Sequence, residues 1–236
     1  QENCAERDPH AKLGEFSSIK KVVAVSSGKG GVGKSSVTAM LAVLLSRRGL
    51  KVGVLDADIT GPSIPRAFGI KRKARGSEMG ILPEETAMGI KVMSINLLLE
   101  HEDQPVVWRG PILAGAVTQF WTDVAWGELD VLLIDMPPGT GDVPLTVYQS
   151  LAVDGTIVVS TPQSLVQMVV GKAKKMADML SIPVLGMVEN MSYAVCPDCG
   201  RRIELFGTPE GLEQAAAEMG VPLLTRLPMT PDVARL

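Results

Sequence analysis

The chain has 236 residues, enough for one large α/β domain, and its 46% hydrophobic residues can fill a sizeable core. The 23 Lys and Arg against 26 Asp and Glu leave a net charge of −3, which gives no general attraction to nucleic acid or anionic lipid. Apolar runs such as 131–134 and 157–159 fall far short of the roughly 20 residues of a membrane helix, and no secretory pattern opens the chain, so a soluble, cytoplasmic protein is expected.

Residues 1–18 are polar and lack an apolar period, which reads as a flexible extension carrying Cys4 and His10, with the folded domain over 19–236. A short β-branched run at 21–26 meets glycines at once, as a buried parallel strand does. Val37, Met40, Leu41, Leu44 and Leu45 then recur at helical spacing and Gly49 supplies a stop, which predicts a helix over 35–48. Further strands are expected at 52–55, 131–134, 156–160, 184–188 and 223–227, and helices at 112–126, 143–151, 165–180 and 209–219. This alternation predicts an α/β fold with a mostly parallel central sheet flanked by helices on both faces. Residues 61–89, rich in Gly, Pro and charge, read as an irregular excursion of the same domain.

Gly28-Lys29-Gly30-Gly31-Val32-Gly33-Lys34-Ser35 stands between the first strand and the first helix. The glycines let backbone N–H groups close on phosphates, Lys34 suits the β/γ oxygens, and the Ser35 hydroxyl suits Mg2+, so the segment reads as a P-loop for ATP or ADP, with Ser36 beside it. Asp56 and Asp58 follow the second strand, and Asp135 ends a later one ahead of Gly139 and Gly141. Carboxyl ends of parallel strands are where open α/β sheets bind ligands, and glycines there let a loop move when a γ-phosphate leaves. Asp56 is the weaker candidate of its pair. Asn190 follows the strand at 184–188, and Thr161-Pro162-Gln163 either joins the ligand edge or caps the next helix.

Cys196-Pro-Asp-Cys199-Gly lies among turn formers, in an insertion at about 191–207. Three cysteines in so long a chain do not make a disulfide scaffold, and this pair reads as a metal or redox site in a reducing compartment. Two thiolates hold one side of a metal, whereas zinc and a [4Fe-4S] cluster each usually take four. A two-fold dimer supplies the missing pair; half of a zinc ribbon is the competing reading. His10 and His101 read as surface, Trp108, Trp121 and Trp126 as packing or dimer contacts, and the twelve methionines mainly as core filler.

Lys29 is a second lysine that an ordinary P-loop does not require, and with it the chain resembles the deviant P-loop ATPases that include MinD, ParA, the arsenite pump ATPase and the nitrogenase iron protein. The resemblance implies a nucleotide-sandwich homodimer in which Lys29 reaches the partner's nucleotide, Asp58 orients the attacking water, Asp135 holds Mg2+ through water and Asn190 contacts the base. Together with residues 56–63, Trp108-Arg109-Gly110-Pro111, Glu189-Asn190-Met191-Ser192 and the cysteine pair, the chain resembles the Mrp (ApbC-like) family of iron-sulfur cluster carriers from about residue 19 to 236. That resemblance implies an ATP-hydrolysing homodimer that bridges a labile [4Fe-4S] cluster between Cys196 and Cys199 of its two subunits. It also implies exchange with cluster-assembly proteins and apoproteins, with Zn2+ able to take the same thiolates. Two departures are visible: Cys4 stands alone where some relatives carry an N-terminal four-cysteine cluster, and the chain ends soon after 223–227, where relatives continue into a terminal helix. A ParA- or MinD-like positioning ATPase with a structural zinc knuckle is the alternative. Balanced charge and the lack of a basic patch speak against it, so neither nucleic acid nor membrane is expected as a partner. A nitrogenase-like reductase has cysteines far apart in sequence, unlike this pair.

Overall fold

The computed structural model describes residues 12–59, 61–98, 110–162, 166–204 and 210–230. Its spine is an eight-stranded sheet in the order β12-β9-β8-β1-β7-β2-β6-β5. The strands are β1 (Ser17–Ser26), β2 (Val52–Asp56), β5 (Glu84–Glu85), β6 (Lys91–Met93), β7 (Gly127–Asp135), β8 (Gly155–Ser160), β9 (Val184–Glu189) and β12 (Leu223–Arg226). All neighbours pair in parallel except β5, which runs antiparallel to β6 at one edge. Two hairpins lie outside the sheet: β3 (Arg75–Ser77) with β4 (Gly80–Leu82), and β10 (Tyr193–Val195) with β11 (Arg202–Glu204).

The helices are α1 (Lys34–Arg47), α2 (Ile64–Ala67), α3 (Gly110–Thr122), α4 (Asp142–Ser150), α5 (Val166–Met179) and α6 (Glu210–Glu218). Alternation along the strands sends side chains to opposite faces. Leu132 and Ile134 of β7 join Val22 and Ala24 of β1 under Phe120 and Trp121 of α3 and Tyr148 of α4. Leu133, between them, packs instead with Val52, Val54 and Ala42 of α1. Both faces are therefore covered, which is why the central strands are apolar without alternation.

Most expected elements stand within a residue or two of their places, and four differ. β7 begins at Gly127, four residues ahead of the start expected at 131. β1 begins at Ser17, four residues before the expected run at 21–26, because its register with β7 already starts at Ser17 and Gly127. α3 stops at Thr122, short of Trp126. There the Ser17 hydroxyl donates to the Val124 carbonyl and accepts the Trp126 N–H, both at 3.0 Å, and draws 124–126 out of the helix and into the approach to β7. Residues 61–89 hold α2, the β3-β4 hairpin and β5, and β6 just beyond them adds a parallel strand beside β2 that periodicity did not reveal. Trp121 and Trp126 are core residues. The methionines divide: Met93, Met136 and Met187 are fully buried, whereas Met79, Met88 and Met179 are exposed. Cys4, His10, His101, Trp108, Arg109 and Gln163 lie outside the described residues.

Candidate nucleotide site and cysteine hairpin

β1 occupies the middle of the sheet, flanked by β7 and β8, so the loop leaving its carboxyl end opens at the point where the strand order reverses. That loop, 27–33, delivers the chain into the N-terminus of α1, and the first backbone N–H groups of a helix are donors available to an anion. Gly31 and Gly33 both have φ +77, a left-handed conformation that glycine adopts without a Cβ penalty. The loop surrounds a cavity of about 310 Å3 lined by Ser27, residues 30–36, Asp58 and Ser63 of the loop after β2, and Pro138 of the loop after β7. Gly28 and Lys29 belong to the loop without lining this cavity; Lys29 is half-buried, and its carbonyl accepts the Ser27 hydroxyl at 3.0 Å. Pro138 and Gly139 are drawn onto the loop, the Gly139 N–H donating to the Ser27 carbonyl at 2.9 Å.

Beneath the cavity floor the charges converge. Lys34 Nζ lies 2.8 Å from Asp135 Oδ2, with both side chains buried. The Ser35 hydroxyl donates to the same oxygen at 2.6 Å, and the buried Thr38 hydroxyl donates to Asp135 Oδ1 at 2.7 Å. A carboxylate and a hydroxyl oxygen adjoining a phosphate cradle form a hard donor set, and Ser35 and Asp135 would suit a hard divalent cation such as Mg2+. Asp56 stands opposite Asp135 in the β2-β7 register and is likewise fully buried. Its side-chain oxygens accept the N–H groups of Asp58 at 3.2 Å, Ser63 at 3.1 Å and Ile64 at 3.2 Å, and the Ser94 hydroxyl at 3.3 Å. Burial, and then the Asp135 charge, push its pKa up to about 8 despite the Ile64 N–H and Lys34. Asp56 is therefore the tether of the 57–64 loop, while Asp58 lines the cavity with its Oδ1 accepting the Gly61 N–H at 3.2 Å.

Asn190 lines a second cavity of about 330 Å3, with Gly33, Ser36, Met40, Met191 and the 227–230 segment, and the two cavities share Gly33 and Ser36. The Asn190 amide nitrogen donates to the Val32 carbonyl at 2.9 Å, pinning the end of β9 onto the phosphate loop. A Cβ on Gly33 would clash with that nitrogen, so this glycine answers a close approach as well as a backbone angle. Mostly apolar walls with one convergent amide suit a flat nitrogenous base. Thr161 is buried just after β8, and its hydroxyl has no hydrogen-bond partner among the described residues.

Cys196 and Cys199 lie at the tip of the β10-β11 hairpin, Cys196 half-buried and Cys199 exposed. The Cys196 N–H donates to the Arg201 carbonyl and the Gly200 N–H to the Cys196 carbonyl, each at 2.9 Å, and Gly200 turns the chain at φ +69. The N–H groups of Cys199 and Asp198, with the Cys199 thiol, hold the Cys196 thiol below the usual cysteine value. Among the described residues no three His, Cys, Asp or Glu side chains converge as a metal site, so the pair alone would offer two thiolates where zinc or a cluster usually takes four.

Sequence reasoning missed Thr38, whose placement one helical turn after Lys34 was the available signal, and it undervalued Asp56, whose three backbone contacts lie outside any motif. It also overlooked a local basic run. Arg66, Lys71, Arg72, Lys73 and Arg75 are all exposed, with Arg72 paired to Glu84 at 3.4 Å, so the balanced net charge conceals a positive stretch.

Comparison with known proteins agrees with this geometry. Residues 18–236 match the family described as ParA: NUBPL iron-transfer P-loop NTPase. An iron-sulfur cluster carrier protein of Clostridium perfringens is 49% identical over 94% of this chain and 81% of its own length. One from Methanocaldococcus jannaschii is 51% identical over 93% and 76%. Among solved structures, an ADP-bound nucleotide-binding protein of Archaeoglobus fulgidus superposes with a TM-score of 0.82 at 49% identity, covering 92% of this chain and 85% of that one. The cell-division ATPase MinD of Pyrococcus furiosus, at 22% identity and a TM-score of 0.64 over 92% and 86%, shares the fold. With the phosphate loop, the paired carboxylates and the cysteine hairpin in place, the chain belongs to the ParA group of P-loop NTPases, in its NUBPL iron-transfer family.

Proposed function

We propose that this protein binds and hydrolyses ATP with Mg2+ as a homodimer, and carries an iron-sulfur cluster, of the [4Fe-4S] type, between cluster-assembly proteins and apoproteins. The observation that carries the proposal is the union in one chain of a formed phosphate cradle and an exposed two-cysteine tip with too few ligands of its own. The relatives' names supply the cargo: they are iron-sulfur cluster carriers at about half identity.

In this reading residues 30–35 hold the phosphates and Lys34 neutralises the β/γ oxygens, exchanging part of its contact with Asp135 for them. Ser35 and Asp135 would hold Mg2+, which would shield phosphate charge. Asp58 orients a water whose oxygen bonds to the γ-phosphorus as the β–γ bridging P–O bond breaks, and Lys29 of each subunit serves the nucleotide of the other. Asn190 receives the base. The cluster is the cargo, and the Cys196-Cys199 tips of two subunits grip it from opposite sides of a two-fold axis. No helix among the described residues is long and apolar enough to cross a membrane, in keeping with a cytoplasmic carrier.

The test is anaerobic reconstitution with iron and sulfide, followed by incubation with an apo-enzyme that needs a [4Fe-4S] cluster. Recovery of that enzyme's activity with matching loss of the donor's visible absorption is expected. A reconstituted protein that takes up no iron contradicts the proposal.

A further inference from the structure

We infer that Ser192 and Glu189 are positioning residues that build the cysteine hairpin into the wall of the base cavity, so that nucleotide in the cavity sets the metal affinity of the Cys196-Cys199 tips. This rests on the proposed role of those cysteines and goes beyond it by naming the route between the two sites.

One side of the base cavity is Asn190 and Met191, and the other is 227–230. These segments are laced together and continue straight into the hairpin. The Leu227 N–H donates to the Glu189 carbonyl at 2.8 Å, the Ser192 N–H to the Leu227 carbonyl at 2.9 Å, and the Met229 N–H to the Tyr193 carbonyl at 2.7 Å. Ala194 forms a further bridge with Met229. Every residue from Ser192 to Ala194 is thus tied to a cavity wall, and Cys196 follows two positions later.

The turn at the start of this strap is held against its own preference. Met191 has φ +55, a left-handed conformation unfavourable for a residue with a Cβ. Across it the buried Ser192 hydroxyl donates to Glu189 Oε2 at 2.6 Å. Glu189 is anchored in turn: Arg226 Nε stands 2.9 Å from the same oxygen as an ion pair, and Arg226 Nη2 stands 2.9 Å from Glu213 Oε1. The clamp therefore fixes the angle at which the hairpin leaves β9. The hairpin tip is closed by its own backbone bonds, so a change at the cavity wall turns the tip as a body and leaves the bite between Cys196 and Cys199 unchanged. What it alters is the alignment of the pair with the second pair that completes a four-thiolate site. Two sites joined through one element in this way affect each other reciprocally.

The experiment measures Co(II) affinity of the reduced full-length chain by thiolate-to-cobalt absorption, without nucleotide, with ADP and with a non-hydrolysable ATP analogue. Wild type should shift its Co(II) dissociation constant by about five-fold or more between nucleotide states, and Co(II) should shift nucleotide affinity by the same factor. Ser192→Ala should bind Co(II) and nucleotide while the ratio between states falls to within about two-fold, and Ser192→Thr, which keeps a hydroxyl, should retain the wild-type ratio. Met191→Gly relaxes the same turn without touching Ser192; it should also flatten the ratio, and it stands in if Ser192→Ala fails to fold. Co(II) binding that ignores nucleotide in wild type, or a ratio that survives in both Ser192→Ala and Met191→Gly, overturns the inference and leaves the carrier function standing. A wild type that binds no Co(II) overturns both.

Discussion

Asp56 and Asp135 face each other in register at the ends of β2 and β7, both fully buried, with Lys34 bound to Asp135 at 2.8 Å. Two carboxyl groups in one dry site disfavour simultaneous ionisation, and Asp56, pushed up to about 8 from 3.8, is the one that keeps its proton. A folded-state pKa above the unfolded value means that the folded chain binds more protons between these limits. The stability contributed by Asp56 is therefore complete below about pH 4 and is lost as pH rises towards 8. Urea unfolding of the nucleotide-free protein at pH 5 and pH 8 should show wild type losing on the order of 4 kcal/mol more than Asp56→Asn over that interval. Parallel pH profiles for the two proteins contradict the assignment.

The same pairing gives Lys34→Ala two effects. It should abolish measurable ADP binding, because Lys34 supplies the fixed positive charge at the cradle floor. It should also destabilise the empty protein by about 3 kcal/mol, since Asp135 is left buried without its counter-ion. Calorimetric titration and chemical unfolding separate the two; loss of binding at unchanged stability would mean that Asp135 finds another partner.

Lys29 and Asp58 are predicted to separate binding from turnover. Asp58→Ala should bind nucleotide and hydrolyse it about 10²- to 10⁴-fold more slowly, because the water is no longer oriented. Lys29→Ala should keep most of its ADP affinity and lose hydrolysis. Equal losses of ADP affinity and rate in Lys29→Ala would place that lysine in its own subunit's pocket.

Gly33 and Asn190 form a coupled pair. Gly33→Ala forces a side chain into φ +77 and against the Asn190 amide, and should cost roughly 2 kcal/mol. In an Asn190→Ala background the clash disappears and only the backbone part remains, so the double-mutant cycle should show coupling of about 1 kcal/mol. Additive effects contradict the close approach.

Much of this architecture was legible because its parts are local. The switch from a β-branched run to glycines to helical spacing located β1, the loop and α1, and the two-residue gap between cysteines marked the Cys196-Cys199 turn, though not the β10 and β11 strands that carry it. What escaped depends on distance. β6 is three residues long, and only its pairing with β2 makes it a strand. Asp56 owes its character to Asp135, 79 positions away, and to amides of a loop with no recognisable period. Glu189 reads as one acidic residue after a strand until Arg226 and Ser192 close on it. Early termination of α3 was likewise set by Ser17, more than 100 residues earlier. Local pattern gives elements and motifs; buried polar partnerships need the fold.

The central claim is that one chain joins a nucleotide site to half of a metal site, and paired measurements on Cys196→Ser and Cys199→Ser test it most directly. Iron, zinc and ADP binding are measured per subunit after anaerobic reconstitution, alongside thermal unfolding. Wild type should carry about four irons per dimer, and each variant should lose that iron while keeping its ADP affinity and melting temperature, because the hairpin tip lies outside the core. Tightly held zinc in wild type, with a large fall in melting temperature in both variants, would show a structural knuckle and contradict the account.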